Sequence, residues 1–391
     1  MNGNLAAMPQ RDLLLDVTRL VWRVWAGRLP TGIDRVCLAY LRHYGPRARA
    51  VIQRKGLRIV LSARHSEAMF ALLDQGGPGF RLRLASLLAR AALSGRAEPA
   101  PPGTIYLNIG HTGLDDPELA GWLKVRQWKP VYLVHDLIPI SHPEYCRPGE
   151  AQRHKRRMRT MLETAAGVIA NSAATRDALA EFATREGRPA PATQVAWLAS
   201  PEPAQAAPLA APNRPTFVTI GTIEGRKNHL LLLHVWERLI RELGAATPRL
   251  VMIGQRGWEA DEVFALLDRS PRLKGYVREL GRCDDATMLG WLDQSRALLM
   301  PSFIEGFGIP VIEALQRGVP VIASDQPVFR EIAGDIPLYL DPVDGHGWEA
   351  AIRSYCNDSA DRTRQLAAMR SFRAPTWADH FAKVDGWLAT L

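Results

Sequence analysis

The chain has 391 residues, of which 47% are hydrophobic and 23% charged, with a formal net charge of +9 and four cysteines. One core rarely grows beyond about 250–300 residues, so the length calls for two domains of ordinary globular composition. No stretch reaches the roughly 18 unbroken apolar residues of a membrane span, and Cys37, Cys146, Cys283 and Cys356 have neither CxxC nor zinc spacing.

Those absences predict reduced thiols. The opening MNGNLAAMPQRD lacks the apolar core of a secretory signal, which predicts a cytoplasmic protein. The basic balance favours an anionic partner: nucleotide, lipid headgroup or nucleic acid. Nucleic acid is set aside, because there is no RNP aromatic pattern, zinc finger or helix-turn-helix signature.

Short β-branched runs alternate with helical patterns. Strands are expected at Asp12–Thr18, Thr104–Asn108, Pro130–Val134 and Gly167–Asn171, with helices at Ile33–Tyr44, Pro117–Gln127 and Glu150–Ala165. The Pro/Ala-rich run Ser200–Asn213 breaks the pattern and reads as a linker. Alternation then restarts. Strands are expected at Thr216–Ile220, Arg249–Ile253, Arg296–Met300, Val319–Ala323 and Leu338–Leu340. Helices are expected at His229–Leu243, Asp261–Ser270, Pro310–Gln316 and Trp348–Cys356. The result is an α/β protein with two open parallel-sheet domains. The first spans 1–200, the linker 201–213 and the second 214–372, with a C-terminal helix over 373–391 that could return to the first domain. Ligands in such sheets bind beyond the carboxyl ends of the strands, so the loops that follow strands are the places to search.

Met300–Gly318, MPSFIEGFGIPVIEALQRG, is the most informative segment. A strand runs into a loop with Gly306, Phe307 and Gly308, then into a helix with Pro310 in its first turn. Glycines allow close backbone approach, and a helix N-terminus favours an anion. Glu305 and Glu313 flank that cradle and are suited to accept hydroxyl hydrogens, one from a sugar and one from a ribose. Thr219–Asn228, TIGTIEGRKN, runs from a strand through Gly221 and Thr222 to Arg226 and Lys227, read as opening a helix. Cations oppose the dipole there, so an anion that compensates them is expected. In the first half, PVYLVHDLIPISHPEY carries His135 and Asp136 to a strand end.

Together these segments resemble the retaining GT-B glycosyltransferases of family 4, most specifically over Thr216–Pro342. The Glu-x7-Glu element falls on Glu305 and Glu313, and the basic pair of the phosphate loop on Arg226 and Lys227. MIGQRGW at Met252–Trp258 and PVIASDQPVFREIAG at Pro320–Gly334 are also typical. The resemblance implies two Rossmann-like domains facing across a cleft. It implies Glu305 on the donor sugar, Glu313 on the ribose, Arg226 and Lys227 on the diphosphate, and His135 near the reacting centre. Gly221, Thr222, Gly306, Phe307 and Gly308 join the donor site. Gly32, in the LPTGIDRV segment at Leu29–Val36, resembles the loop that closes over the donor phosphate. Many members carry Arg directly after the loop glycine, where this chain has Thr222. Asp136 is expected to orient His135 or cap the next turn, and Asn171 and Ser172 to be structural.

No Asp-x-Asp motif occurs, so protein cations rather than a metal are expected to hold the diphosphate; no cofactor is expected. The resemblance further implies a nucleotide-diphosphate sugar donor, with GDP-mannose favoured over dTDP-rhamnose or UDP-glucose, and a lipid-linked or oligosaccharide acceptor in surface polysaccharide synthesis. An epimerase of the same fold and a non-catalytic nucleotide-binding assembly protein are the alternatives. A dinucleotide oxidoreductase fails for want of GxGxxG. Arg11, Arg19, Arg23 and Arg28 beside Trp22 and Trp25, and the run Arg153–Arg159, suit an anionic membrane surface, and the resemblance implies peripheral attachment at the inner face of the plasma membrane.

Overall fold

A computed structural model describes residues 11–27, 32–54, 56–94, 97–200 and 205–391. Its first sheet has seven strands: β1 (Leu13–Asp16), β2 (Ala48–Arg54), β3 (Leu57–Val60), β4 (Ile105–Asn108), β5 (Lys129–Val134), β6 (Gly167–Ala170) and β7 (Thr193–Val195). Their spatial order is β3-β2-β1-β4-β5-β6-β7, parallel throughout except for the β2–β3 hairpin. The second sheet has six: β8 (Thr216–Ile220), β9 (Arg249–Ile253), β10 (Val277–Gly281), β11 (Ala297–Met300), β12 (Val321–Ser324) and β13 (Leu338–Leu340). Its order, β10-β9-β8-β11-β12-β13, is the doubly wound 3-2-1-4-5-6 arrangement and is wholly parallel. Central strands of such sheets are covered on both faces, which is why TFVTI and ALLM are buried at every position.

Each sheet reverses its winding at one place, between β1 and β4 in the first and between β8 and β11 in the second. A crevice opens at the strand ends there. The expected strands of the second half all occur within a residue or two of their expected bounds. β1 ends at Asp16 rather than Thr18, because the Asp16 carboxylate accepts the Thr18 N–H at 2.9 Å and the chain turns directly into the helix Thr18–Trp25. Sequence reasoning passed over β2, β3, β7 and β10. It also passed over the helices Ala63–Gln75, Phe80–Leu93 and Ala173–Arg185.

The segment 205–213 has no helix or strand. The helix Ala360–Met369 stays with the second domain, where Gln365 donates to the Val321 carbonyl at 2.8 Å. The helix Trp377–Leu388 lies on the first domain. His380 meets the Tyr40 hydroxyl at 2.8 Å, Tyr44 donates to Asp385 at 2.9 Å, and Trp387 fills the space over Gly167. The chain therefore crosses between domains twice.

The basic segments differ from the free cationic faces expected of them. Arg19 and Arg23 point inward at 2.7 and 2.9 Å from the buried Asp34. Arg11 donates to the Gly45 and Ala48 carbonyls, and the Trp22 indole donates to the Gln53 carbonyl. In the second run, Arg153 pairs with Asp115, Arg157 with Glu150 and Asp115, and Lys155 and Arg159 with Glu186. Most of these charges are answered by acids outside their own helix, which periodicity cannot reveal. Arg28 lies outside the described residues.

Candidate active site at the switch point

The loops after β8 and β11 meet at the second domain's switch point. Gly221 closes β8 with φ of 147°, and its N–H donates to the Ile253 carbonyl at 2.9 Å. The MIGQRGW segment runs alongside: Ile223 N–H bonds the Gln255 carbonyl and Gly257 N–H bonds the Ile223 carbonyl, each at 2.9 Å. A Cβ on Gly254 would sit 1.8 Å from the Gly221 oxygen, and one on Gly257 2.6 Å from the Thr222 methyl. These glycines let two loops lie against each other and so fix the path of Gly221 and Thr222.

Arg226 and Lys227 do not open the following helix. They sit in a short 3-10 turn, Gly225–Lys227, and the helix begins at His229 after Asn228 takes a left-handed conformation (φ 55°). Asn228 holds that conformation by donating to the Pro301 carbonyl at 3.1 Å and the Pro342 carbonyl at 2.7 Å. The turn thereby points both cations at the loop after β11. Arg226 donates to the Ile304 carbonyl at 3.1 Å and to Glu305 at 2.7 Å; Lys227 donates to the other oxygen of Glu305. Ser302 donates to Glu305 at 2.7 Å, and the buried Glu224 holds Arg226 from behind at 2.7 Å. The compensating anion expected beside the basic pair is, within the protein, Glu305 itself. Burial works to raise the Glu305 carboxyl, but Lys227 and Arg226 outweigh it and hold it down at about 2.

Gly306, Phe307 and Gly308 carry this loop into the helix Ile309–Gln316. Gly308 has φ of 108°, and a Cβ there would lie 2.7 Å from the Phe329 ring. Phe307 is buried in the domain core. Glu313 faces back toward the first domain, with Arg35 at 3.8 Å; Arg35 also pairs with Asp285. Burial pushes the Glu313 carboxyl up to about 7, against the pull of Arg35. A carboxyl whose folded pKa lies above its unfolded value binds its proton more tightly when folded, so it weakens the fold as pH rises from about 4.3 toward that pKa. Melting temperature is therefore expected to fall between pH 5 and 7.5 by more in the parent than in Glu313→Gln; identical slopes by differential scanning fluorimetry would refute this.

The first domain supplies the facing wall. His135, at the end of β5, donates Nε2–H to the Ile109 carbonyl at 2.8 Å, and His111 reaches the Leu133 carbonyl from the end of β4. These reciprocal bonds extend the β4–β5 pairing past its ladder. Burial lowers the His135 imidazole to about 4, so it is neutral with Nδ1 left as an acceptor. Asp136 caps the next turn by accepting the Ile138 N–H at 3.1 Å, and Asn171 donates to the His135 carbonyl at 2.8 Å. Gly306 comes so close that a Cβ would lie 2.8 Å from that same carbonyl oxygen. Tyr145 stacks on Phe303 at 5.5 Å, and the Trp258 indole donates to the Tyr145 carbonyl at 3.0 Å. Gly32 begins the helix Gly32–Tyr44 with open space around it; Leu29, Pro30 and Thr31 of its loop lie outside the described residues.

The structure thus joins Arg226, Lys227 and Glu305 directly, and sets Gly306 against His135. Glu313 sits apart, on Arg35. Residues that sequence reasoning left without a role are Glu224, Asn228, Ser302 and Arg35. Asn228, as the third letter of RKN, and Arg35, in LPTGIDRV, carried usable signals.

Residues 202–371 match the family model described as glycosyl transferases group 1. The chain is 38% identical over 151 residues to O-antigen chain mannosyltransferase B of Escherichia coli, 39% of each chain. It is 30% identical over 225 residues to the serotype-specific mannosyltransferase WbdA of Escherichia coli, 54% of this chain and 27% of that one. It is 50% identical over 96 residues to O-antigen chain mannosyltransferase RfbU of Salmonella typhimurium, 24% of this chain and 26% of that one. The matches therefore span well under half the length of these relatives. Among solved structures, HepE of Anabaena in complex with UDP superposes with a TM-score of 0.66 at 18% identity, over 97% of this chain and 99% of that one. Sucrose-phosphate synthase from Thermosynechococcus elongatus gives 0.61 at 16%, over 97% and 98%. The fold is the GT-B arrangement of two facing Rossmann-like domains.

Proposed function

Residues 202–371 form a glycosyltransferase group 1 domain, and from that premise we propose that this chain is a metal-independent, retaining mannosyltransferase of bacterial surface polysaccharide synthesis. It takes mannose from GDP-mannose to a hydroxyl of a lipid-linked or oligosaccharide acceptor. The observation that carries the reading is the cluster of Arg226, Lys227 and Glu305 at the switch point, facing His135 of the other domain. Two half-buried cations beside a glycine turn are suited to the charge that develops on a departing diphosphate, and fixed donors aimed at such charge often supply the largest catalytic term. Their presence, with no Asp-x-Asp in the chain, supports a site that dispenses with a metal.

In this reading the diphosphate shares Arg226 and Lys227 with Glu305, while Glu305 accepts hydroxyl hydrogens of the donor sugar. His135 offers Nδ1 to the same sugar. Glu313 accepts from the ribose, and ionises fully only above pH 7. Attack comes from the face the nucleotide leaves, with a β-phosphate oxygen taking the acceptor proton. Domain contact across the site keeps water from the donor.

The relatives named as O-antigen mannosyltransferases support mannose. UDP-glucose is the second reading, favoured by the complex of HepE with UDP-glucose. Thermal-shift titration with GDP, UDP, dTDP and ADP decides between them: stabilisation by GDP alone is expected, and stabilisation by UDP alone overturns the mannosyl assignment. EDTA is expected to leave transfer unchanged; loss restored by Mn²⁺ refutes the metal-free mechanism.

Attachment to the inner membrane face belongs to the same proposal. No helix among the described residues is long and apolar enough to cross a membrane. The helix Phe80–Leu93 leaves Leu82 and Leu93 exposed at 79% and 88%. Three turns apart, they share one face, flanked by Arg81, Arg83 and Arg90 with no acidic residue in the helix. Such a stripe suits an anionic lipid surface. Leu82→Glu with Leu93→Glu is expected to reduce binding to phosphatidylglycerol vesicles by about a hundredfold or more, since even half-burial of two leucines and two added charges sum to more than the roughly 2.8 kcal/mol this requires. Equal partitioning of the parent onto neutral and anionic vesicles would count against attachment.

A further inference from the structure

Glu331 lies in the helix Pro327–Ala333 of the second domain, away from the cluster of Arg226, Lys227 and Glu305. Its carboxylate reaches into the first domain. One oxygen accepts the Ala173 N–H at 2.7 Å and the Trp197 indole N–H at 2.7 Å; the other accepts the Ala174 N–H at 3.2 Å. Ala173 and Ala174 are the first two residues of the helix Ala173–Arg185, where backbone N–H groups have no partner inside the helix. The third N–H, of Thr175, is taken by the capping Ser172 at 3.0 Å, and the fourth, of Arg176, bonds the Ser172 carbonyl. The capping of this helix is thus completed from the other domain. Trp197 stands just before the linker, and its carbonyl meets His380 of the returning C-terminal helix at 3.0 Å. One carboxylate therefore touches the first domain and the approach to the first crossing. Thr175, in the first turn of the capped helix, comes to 3.5 Å from the Gly306 carbonyl, beside Glu305.

We propose that Glu331 is a positioning residue: it clasps the two domains together and so seats the Glu305–Gly306 loop against His135. Charge-assisted bonds to three N–H donors, two of them at the positive end of a helix, form only when the domains meet. In an open form those donors return to water. The clasp thus biases closure without touching substrate. The inference rests on the transferase reading for its effect on turnover, but not for its effect on domain closure.

The test uses the full chain with Glu331→Ala, Glu331→Asp and Trp197→Phe, read by small-angle X-ray scattering with and without GDP or UDP, and by transfer kinetics. Glu331→Ala is expected to have a larger radius of gyration than the parent, with turnover reduced at least tenfold and nucleotide affinity within threefold. Trp197→Phe, which keeps an aromatic ring but loses the indole N–H bond, is expected to show a smaller effect in the same direction. Glu331→Asp should recover part of both losses. If Glu331→Ala is as compact as the parent, the clasp is refuted. If it does not fold, Trp197→Phe decides: parental compactness refutes the proposal. Should the parent transfer no sugar from any donor, the transferase reading fails, and the scattering alone still decides the clasp.

Discussion

Glu305→Gln is expected to reduce turnover by about 10²–10³, the usual loss when one preorganised polar group is removed from a catalytic site, while the fold persists. Glutamine keeps one carbonyl to accept from Arg226 or Lys227 and fills the same space. Glu305→Ala is a different experiment. Arg226, Lys227 and Ser302 all converge on this carboxylate, and its removal leaves half-buried cations with one counter-charge fewer. Breaking a buried ion pair from one side costs about 3–5 kcal/mol, so the alanine variant is expected to lose stability as well as activity. Glu224 remains behind Arg226 at 2.7 Å and limits that loss. Urea denaturation alongside steady-state kinetics separates the two effects. A glutamine variant with parental turnover sinks the assignment of Glu305 to the reacting centre.

The second large effect is expected from one methyl group. A Cβ on Gly306 would lie 2.8 Å from the His135 carbonyl oxygen and 2.9 Å from the Asp136 Cβ. The first is backbone and the second the root of a side chain, so neither swings aside. Gly306→Ala must hold the loop off the wall that carries His135, and a displacement of about 1 Å can cost about 10² in rate. Stability should change little, because the clash lies between domains. Gly308→Ala is the control: its Cβ would strike Phe329 within the second domain at a φ of 108°, so a drop in melting temperature is expected. Equal melting losses in the two variants would refute this division.

What could be read in the sequence follows from how far apart the cooperating residues lie. Parallel strands buried on both faces announce themselves as apolar runs, and TFVTI and ALLM did so. The strand Val277–Gly281 reads VRELG at the edge of its sheet, and the strand Ala48–Arg54 reads ARAVIQR although most of it is buried; the polar residues interrupt the apolar run and erase the signal. Glu305 and Glu313 stand eight positions apart on one loop and helix, so they were found together. The bond between Glu305 and Arg226 spans 79 positions. The residue types could be named in advance, but not that the cations and the acid hold each other. Arg19 and Arg23 failed for the same reason: Asp34, their partner, lies beyond the turn that follows their helix.

The two crossings of the chain have a mechanical consequence. A single tether would let the domains swivel about a point. Here residues 205–213 carry the chain out, and the segment between the helices Ala360–Met369 and Trp377–Leu388 brings it back to Tyr40, Tyr44 and Gly167. Two crossings restrain the swivel that one would allow and favour rotation about the axle that joins them, as in a door rather than a ball joint. Every contact across the cleft then lies at some radius from that axle, and all of them open or shut together.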